Sequence, residues 1–170
     1  ELAYQQFYDF LPGPLSHLGV QTNFTYIESE ATPPPPSVDS NADGVPDDPQ
    51  TIYRFGVKNL LGQSKYIFNL VAIYQDSKWE GRLAYNWRSE NLTTYHDYIT
   101  GDPVFLSDVG FLDGSINYNV NRNWQVSLNA SNLLDTKNKA TAQIDNKGTR
   151  VDRFSFLNDR RFVFDVRYQY

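Results

Sequence analysis

The sequence predicts an all-β fold, an antiparallel meander of about seven strands. One reason is composition, because aromatic residues make up 15% of the 170 residues while the mean hydropathy is −0.55. Most of the polarity comes from Asn, Gln, Ser and Thr, and this mixture is typical of a sheet with one apolar and one polar face rather than of a disordered chain. The other reasons are an alternation of apolar and polar residues along several segments and a regular order of short and long connections.

The first strands of the meander show this alternation over short stretches. Residues 1–10 are predicted to form a strand although its two faces are blurred, and residues 20–26 form the next. A third strand spans residues 66–74, where apolar residues occur on both faces. After a turn at residues 75–78, residues 79–88 alternate again and form the fourth strand.

A hairpin follows at residues 112–131. Its two alternating strands are joined by the turn Asn121-Arg122-Asn123, and a connection this short between two such runs is typical of a hairpin. One face of the hairpin is a row of polar side chains, namely Asp113, Ser115, Asn117, Asn119, Gln125, Ser127 and Asn129.

The last ten residues form the clearest strand. Apolar side chains occupy every second position from Phe162 onward, and only Val163 interrupts the polar face. The apolar face comprises Phe162, Phe164, Val166, Tyr168 and Tyr170. A period of two over ten residues predicts a strand, because successive side chains of a strand point to opposite faces.

Short and long connections alternate strictly between the predicted strands. The short ones span residues 11–17, 75–78 and 121–123, and the long polar ones span residues 28–63, 93–110 and 136–157. All long connections are therefore expected at one end of the sheet. A soluble sandwich has no reason for this asymmetry, whereas outer-membrane barrels have short turns at one end and long loops at the other.

The spacing of aromatic residues favours strands that cross a membrane. Trp79 and Trp87 share a face eight positions apart, as do Phe162 and Tyr170. At about 3.3 Å per residue this separation is ~26 Å along a strand, or ~20 Å across a membrane after a tilt of roughly 40°. Aromatic residues at both ends of a lipid-facing stripe form the interfacial girdles of such barrels. The alternative is a sandwich in which the same aromatic residues form the core.

Several classes of protein are excluded by composition. Without cysteine the chain has no disulfides, thiolate metal sites or cysteine nucleophiles. The net charge of −5, without a cluster of Lys and Arg, argues against nucleic acid as a partner. No secretory signal and no apolar run of transmembrane-helix length is recognised. Only His17 and His96 exist and they fall at opposite ends of the strands, so a nucleophile with an adjacent base, and hence an enzyme, is not expected.

Short motifs follow one another along the chain in a characteristic order. They are Glu1 to Leu15 with its Pro12-Gly13-Pro14, Gly19 to Tyr26, Ser64-Lys65-Tyr66 with Asn69-Leu70-Val71, Ala84 to Glu90, Asn132-Leu133-Leu134-Asp135, and Asn158-Asp159-Arg160-Arg161 before the last strand. In this order and spacing they resemble TonB-dependent outer-membrane receptors, and among these the branch typical of Xanthomonas and Caulobacter relatives. The resemblance spans nearly the whole chain.

The resemblance implies a plug domain followed by a 22-stranded outer-membrane β-barrel, of which residues 1–170 would form the C-terminal part. Seven strands alone leave two open edges, whose backbone groups would be unsatisfied in lipid. The absence of methionine also suggests a mature chain or an excised segment. The expected partners are outer-membrane lipid, the plug and upstream strands of the same receptor, TonB through the missing N-terminal part, and the barrel assembly machinery.

The function implied by the resemblance is energy-coupled uptake of a scarce nutrient, an oligosaccharide or an iron chelate, across the bacterial outer membrane. No cofactor is expected apart from calcium in one loop. The alternative is a small outer-membrane barrel or a secreted β-sandwich binding domain without a transport role. The coding sequence upstream of Glu1 distinguishes these alternatives, because a receptor requires a plug and further strands there, and a signal peptide directly before Glu1 would contradict it.

Candidate substrate contacts lie in the long connections. Aromatic rings can stack on sugar rings, and His or Asp can hydrogen-bond to hydroxyl groups. The candidates are Tyr95, His96, Asp97, Tyr98, Asp102, Phe105 and Phe154. For any single one of them, packing within a loop or solvation of the rim is the simpler role. The polar row of the hairpin would face the barrel lumen and contact the plug or water.

The C-terminal strand carries a further candidate site. Its apolar residues Phe162, Phe164, Val166, Tyr168 and Tyr170 resemble the terminal signal by which the outer-membrane assembly machinery recognises a barrel. The simpler alternative is that Tyr170 is only an interfacial aromatic residue, and both roles are compatible.

Residues 39–50 resemble the first part of a calcium-binding loop, as in thrombospondin type 3 and dockerin repeats. The ligands would be Asp39, Asn41, Asp43 and Asp47 with the Val45 carbonyl, and Gly44 stands at position 6. Gln50 replaces the bidentate Glu of position 12, so coordination would be incomplete or completed by Asp48 or water, and the expected dissociation constant is about 10⁻⁴–10⁻³ M. The alternative is a solvated acidic loop, because this pattern recurs by chance in segments rich in Asp and Asn.

Overall fold

The computed structural model describes residues 1–31, 41–45 and 54–170 of the protein, and eleven strands lie in this part. In chain order they are β1 (Leu2–Phe7), β2 (Leu18–Tyr26), β3 (Tyr66–Gln75), β4 (Trp79–Arg88), β5 (Asn91–Thr94), β6 (Val104–Leu106), β7 (Val109–Asn119), β8 (Trp124–Ser131), β9 (Asn138–Gln143), β10 (Arg150–Phe156) and β11 (Arg161–Tyr168). The described part also has two 3₁₀ turns, Gly13–His17 and Arg54–Gly56. No helix in it is long and apolar enough to cross a membrane.

Seven strands form one antiparallel sheet in the order β1-β2-β3-β4-β7-β8-β11. These are the seven strands that the alternation predicts, so the prediction of an all-β antiparallel meander is confirmed. β1 and β11 lie at the two edges and do not pair with each other in the described part of the chain. The large sheet is therefore open.

The register of the large sheet gathers its apolar side chains on one side. Trp79 lies opposite Tyr118 and Leu128 opposite Phe164. The pairing thus brings every second residue of each strand onto the same face of the sheet. We call this side the apolar face; it includes Tyr4, Val20, Phe24, Leu70, Leu83, Tyr85, Ile116, Val126, Leu128, Phe164 and Val166. The polar face on the other side includes Gln5, Gln21, Asn23, Asn69, Asn86, Asp113, Ser115, Asn117, Ser127, Asn129 and Asp165.

No second layer covers the apolar face within the described residues. Ile116 on β7 is 51% exposed and Leu83 on β4 is 45% exposed, although both strands lie inside the sheet. The interior of a β-sandwich would bury these side chains. The sandwich alternative therefore does not describe this part of the chain.

The other four strands form a second, smaller antiparallel sheet in the order β10-β9-β6-β5. Each of them is the continuation of a strand of the large sheet after a break of a few residues, since β5 follows β4, β6 precedes β7, β9 follows β8 and β10 precedes β11. The small sheet thus repeats the spatial order β4-β7-β8-β11 of the strands from which it extends.

The small sheet corrects one expectation. The sequence predicts only long polar connections at residues 93–110 and 136–157. The first of them instead contains the end of β5 and all of β6, and the second contains β9 and β10. The physical reason lies in the burial of both faces. Ala140 and Ala142 are buried on one face of the small sheet while Phe105 and Leu92 are buried on the other, so the strands lack the alternation that marks a half-exposed strand.

The compact core of the described chain lies in the small sheet and not in the large one. Most of its buried apolar residues belong to the small sheet, namely Leu92, Val104, Phe105, Ala140 and Ala142. The apolar side chains of the large sheet remain open to their surroundings. Contacts among buried apolar side chains therefore stabilise the small sheet. Within the described residues, no layer of side chains packs on the apolar face of the large sheet in the same way.

Candidate functional site

The long connections converge at one end of the large sheet, as their alternation with short turns predicts. We call this assembly, residues 54–65, 91–108 and 136–157, the cap. Arg54 from the first connection forms an ion pair with Asp102 of the second at 2.9 Å. Arg153 of β10 in turn pairs with Asp97 at 3.1 Å, so all three connections are joined.

The turn between β5 and β6 is held by the carboxylate of Asp97. Its Oδ1 accepts hydrogen bonds from the backbone N–H groups of Ile99 at 2.9 Å and Thr100 at 3.0 Å. The backbone N–H of Thr100, the Arg153 guanidinium and the backbone N–H of Ile99 lower the pKa of Asp97 from 3.8 to about 2. Asp97 is therefore ionised at neutral pH and is occupied by contacts within the cap.

Two arginines pack the rest of this turn against the small sheet. Arg54 Nη1 donates to the Thr100 carbonyl at 3.1 Å as well as to Asp102. The guanidinium of Arg150 lies 3.3 Å from the centroid of the Phe105 ring and pairs with Glu90 at 3.5 Å. Phe105 is only 2% exposed, because it lies in the interior of the small sheet.

The seven candidate substrate residues fall into two groups. Tyr95 donates its hydroxyl proton to the Asn59 carbonyl at 2.6 Å, and the backbone of His96 is bonded to the Thr94 hydroxyl. Together with Asp97, Asp102 and Phe105 these residues hold the cap together. The other two present rings to the outside: Tyr98 is 99% exposed at the tip of the β5–β6 turn, and Phe154 is half exposed on β10.

A polar groove at the base of the cap was not predicted. It has a volume of about 400 Å³ and is lined among others by Glu28, Glu30, Lys58, Lys65 and Glu90. Its residues come from three separate segments of the chain with no shared motif or period. Sequence reasoning could not find this groove, because only the pairing of β2, β3 and β4 brings the segments together.

The polar face is a wall of side chains that bond to one another across strands. Asn69 donates to Asn23 at 2.6 Å, and Asn129 donates to Asp165 at 3.2 Å. Gln125 likewise donates to Asn119 at 3.1 Å. These amides would otherwise need water, so their mutual bonds give the face a polar surface of fixed shape.

Aromatic side chains from neighbouring strands pair at both ends of the apolar face. At the short-turn end Trp79 packs on Tyr118 with ring centroids 4.4 Å apart, and Trp124 packs on Tyr168 at 4.8 Å. At the cap end Tyr66 packs on Tyr26 at 5.5 Å and on Phe24 at 6.2 Å. We call these two sets the aromatic rows. Trp79, which the spacing of aromatic residues singles out, belongs to the short-turn row, whereas the ring pairs at the cap end come from β2 and β3.

The predicted calcium ligands are only partly within the described residues. Asp39 and Asp47 lie outside them, whereas Asn41, Asp43 and Val45 lie inside. Asp43 accepts from the Asn41 amide at 2.9 Å and from the Val45 backbone N–H at 2.8 Å. Asn41 Oδ1 in turn accepts from the Asp43 backbone N–H at 3.1 Å. No group of three acidic or histidine side chains that could hold a metal exists in the described ranges, this turn included.

The residues of the predicted assembly signal lie on the apolar face of the edge strand β11. Tyr168 packs on Trp124, and the ring of Tyr170 follows at 6.5 Å from that of Tyr168. The backbone N–H of Gln169 donates to the Asn123 carbonyl at 2.8 Å, which extends the pairing past the end of β11. The signal is thus exposed at an open sheet edge.

The described part of the chain therefore presents a sheet with one apolar and one polar face, a cap at one end and aromatic rows at both. Comparison with protein-family models, with curated proteins and with solved structures finds no match.

Proposed function

We propose that the chain forms seven neighbouring transmembrane strands of a β-barrel in the bacterial outer membrane, with its apolar face against lipid. The observation that carries this proposal is the exposed apolar face opposite a polar one. Fully burying one large apolar side chain stabilises by about 1.5–3 kcal/mol. For the many half-exposed side chains of this face, transfer to hydrocarbon is favourable by on the order of 10 kcal/mol.

The aromatic rows support the same orientation. Trp79 and Trp87 mark the two ends of β4. The distance between them is ~26 Å along the strand, which is ~20 Å across a tilted strand in a membrane. The cap, being the larger end, lies outside the cell, and the short turns lie in the periplasm.

The open edges support a barrel larger than the described sheet. β1 and β11 each leave one row of backbone N–H and C=O groups without a strand partner in the described part. Such groups are costly in lipid, so each edge pairs with a further strand of the same barrel. This agrees with the 22-stranded barrel that the resemblance implies.

We further propose that the barrel is a TonB-dependent receptor for a scarce nutrient, an oligosaccharide or an iron chelate. The resemblance of the ordered motifs supports this function. The polar face would line the lumen beside the plug, and the exposed rings of Tyr98 and Phe154 on the cap are the candidates for first contact with substrate. His17 lies beside Tyr74 at the short-turn end and His96 lies in the cap, so the two histidines do not form one catalytic site.

Membrane insertion is tested with lipids that carry bromine on their acyl chains. In vesicles containing the inserted protein, the emission of Trp79 and Trp124 should be strongly quenched, because both lie on the apolar face. A chain whose tryptophan emission is unaffected by brominated lipid would disprove insertion.

The transport role is tested in the native bacterium. Deleting the gene should abolish TonB-dependent uptake of one nutrient among a panel of radiolabelled oligosaccharides and iron chelates, and restoring the gene should restore that uptake. Unchanged uptake of every member of the panel would argue for the alternative, a barrel without a transport role.

A further inference from the structure

The connection between β1 and β2 begins and ends on the apolar side of the sheet. The backbone N–H of Tyr8 donates to the Leu18 carbonyl at 2.9 Å, which continues the pairing of β1 with β2 by one residue. Tyr8 and Leu18 therefore lie on the apolar side, where Leu18 is opposite Tyr74. Tyr8 and Tyr74, with Leu18 between them, therefore extend the short-turn aromatic row to the edge of the sheet.

Both ends of this connection, residues 8–17, pack on that row. The ring of Phe10 contacts the ring of Tyr8 edge-on with centroids 5.9 Å apart. The ring of His17 contacts Tyr74 in the same way at 5.9 Å. The connection is therefore attached at both of its ends to the apolar side of the sheet.

The connection is also stiff. Pro12 and Pro14 fix two backbone angles, and Gly13 between them adopts a φ of 61°, which favours glycine. The Ser16 hydroxyl donates to the Gly13 carbonyl at 2.7 Å, which closes the 3₁₀ turn. Side chains presented by such a rigid segment lose little conformational entropy when they bind.

The side chains that the connection presents are large and apolar. Phe10 is 70% exposed and Leu15 is 50% exposed. The other short turns differ, because their tips consist of polar residues, Asp76-Ser77-Lys78 and Asn121-Arg122-Asn123. Exposed apolar side chains on an ordered turn are uncommon at a surface that meets only water.

We propose that residues 8–17 are a membrane anchor that inserts Phe10 and Leu15 into the periplasmic leaflet at the level of the short-turn aromatic row. The inference rests on the proposed membrane insertion and adds a lipid contact outside the strands. Lipid is the partner that fits, because the segment is continuous with the apolar face through Tyr8 and Tyr74. Apolar side chains of interfacial segments reach the boundary between headgroups and acyl chains in this way.

The natural lack of cysteine allows a direct test. Single variants Phe10→Cys, Leu15→Cys and, as the matched control on another short turn, Ser77→Cys are labelled with an environment-sensitive fluorophore. The complete barrel, with one labelled cysteine in residues 1–170 and any cysteine outside them replaced by serine, is inserted into phosphatidylcholine vesicles with or without bromine on the acyl chain near the headgroup. Labels at positions 10 and 15 should lose about half of their emission to bromine, and the label at position 77 should lose little.

Quenching of Trp79 and Trp124 in the same samples reports insertion of the sheet independently. If these tryptophans are quenched but labels at positions 10 and 15 are not, the anchor is overturned while the proposed membrane insertion stands. Blue-shifted labels without quenching by bromine would indicate contact with protein and would also overturn it. If neither the tryptophans nor the labels are quenched, both proposals fail.

Discussion

Asp97 shows how a single side chain can hold several segments of the cap together. Its carboxylate accepts from the Thr100 backbone N–H within the β5–β6 turn and ties this turn to β10 through Arg153. Elsewhere Asp76 and Asn121 perform a similar local role in the short turns, because each accepts hydrogen bonds from the backbone N–H groups two and three residues later. Side chains of Asp and Asn thus close turns at both ends of the molecule.

The pH dependence of the cap follows from Asp97. Its folded pKa of about 2 lies below the usual 3.8, so its contribution to stability is present above pH 3.8 and is lost as the pH falls through 2. An NMR titration of the Asp97 carboxyl carbon should show a midpoint near the low value. Arg153→Ala should raise that midpoint, because the guanidinium is one of its causes, whereas a midpoint of 3.8 in the unaltered chain would contradict the structure.

Gly110 provides a second prediction at the scale of the residue. A Cβ added there would lie 2.8 Å from Cζ of Tyr85, whose ring covers the glycine. Gly110→Ala should therefore destabilise the sheet by about 1–3 kcal/mol in urea unfolding from vesicles. The matched control is Gly81→Ala, where the nearest atom, Tyr74 Cβ, is 3.8 Å away and little loss is expected. Equal losses in both variants would show that close packing by Tyr85 is not the cause.

At the scale of the elements, the break between β8 and β9 is densely bonded around Asn132. Asn132 has a φ of 54° and is buried. Its side-chain amide donates to the Asn158 carbonyl at 2.6 Å, and its Oδ1 accepts from Thr136 N at 2.8 Å. Its backbone N–H donates to Asp113 at 2.9 Å. Asn132 therefore joins β7, through its backbone N–H, to the segments that follow β8 and precede β11, through its side chain.

Replacing Asn132 tests this connection. Asn132→Ala should cost roughly 2–4 kcal/mol of unfolding free energy, because it leaves buried backbone groups without partners. Asn129→Ala is the control, since Asn129 makes one exposed hydrogen bond to Asp165 and its loss should cost little. Urea unfolding of both variants in vesicles measures the difference. A loss in Asn132→Ala no larger than in the control would refute the role of this break.

The calcium prediction concerns the connection between β2 and β3. If calcium binds residues 39–50, millimolar calcium should slow cleavage of this connection by protease relative to chelator, because a bound ion fixes the loop. Asp43→Ala should remove the protection, as Asp43 is a proposed ligand. Cleavage at the same rate with calcium and with chelator would contradict calcium binding and favour the alternative, a solvated acidic loop.

At the scale of the whole molecule, the two faces of the large sheet and the position of the cap fix an orientation. The apolar face meets lipid, the polar face meets the lumen and the cap lies outside, under the proposed function. β11 lies at the open edge with Phe162, Phe164 and Val166 exposed on the apolar face. Under the same proposal, this edge strand is accessible to the barrel assembly machinery.

Deleting Tyr170 tests the proposed assembly signal in the complete protein. If the signal exists, we expect less protein in the membrane with unchanged synthesis, because the terminal aromatic residue would be missing from the recognised strand. Quantitative immunoblots of membrane and total fractions measure both amounts, and Gln169→Ala is the neighbouring control on the other face. Normal membrane levels after the deletion would leave Tyr170 as an interfacial residue only.

The sequence by itself determined the seven strands, their faces and the end of the sheet that carries the long connections. The reason is physical, since a strand with one apolar and one polar side must alternate with a period of two, and residues 161–168 and 124–131 do so visibly. The aromatic rows follow from the same period, because residues eight positions apart share a face.

Only the tertiary structure decided how the cap is built. The pairs Arg54–Asp102 and Arg153–Asp97 join residues 48 and 56 positions apart, and no local pattern predicts such contacts. Phe105 reads as an exposed loop aromatic but is buried under Arg150, because β6 is covered on both sides and therefore does not alternate. Local sequence sets the direction of each side chain, whereas burial within the cap depends on which distant segments the strand order brings together.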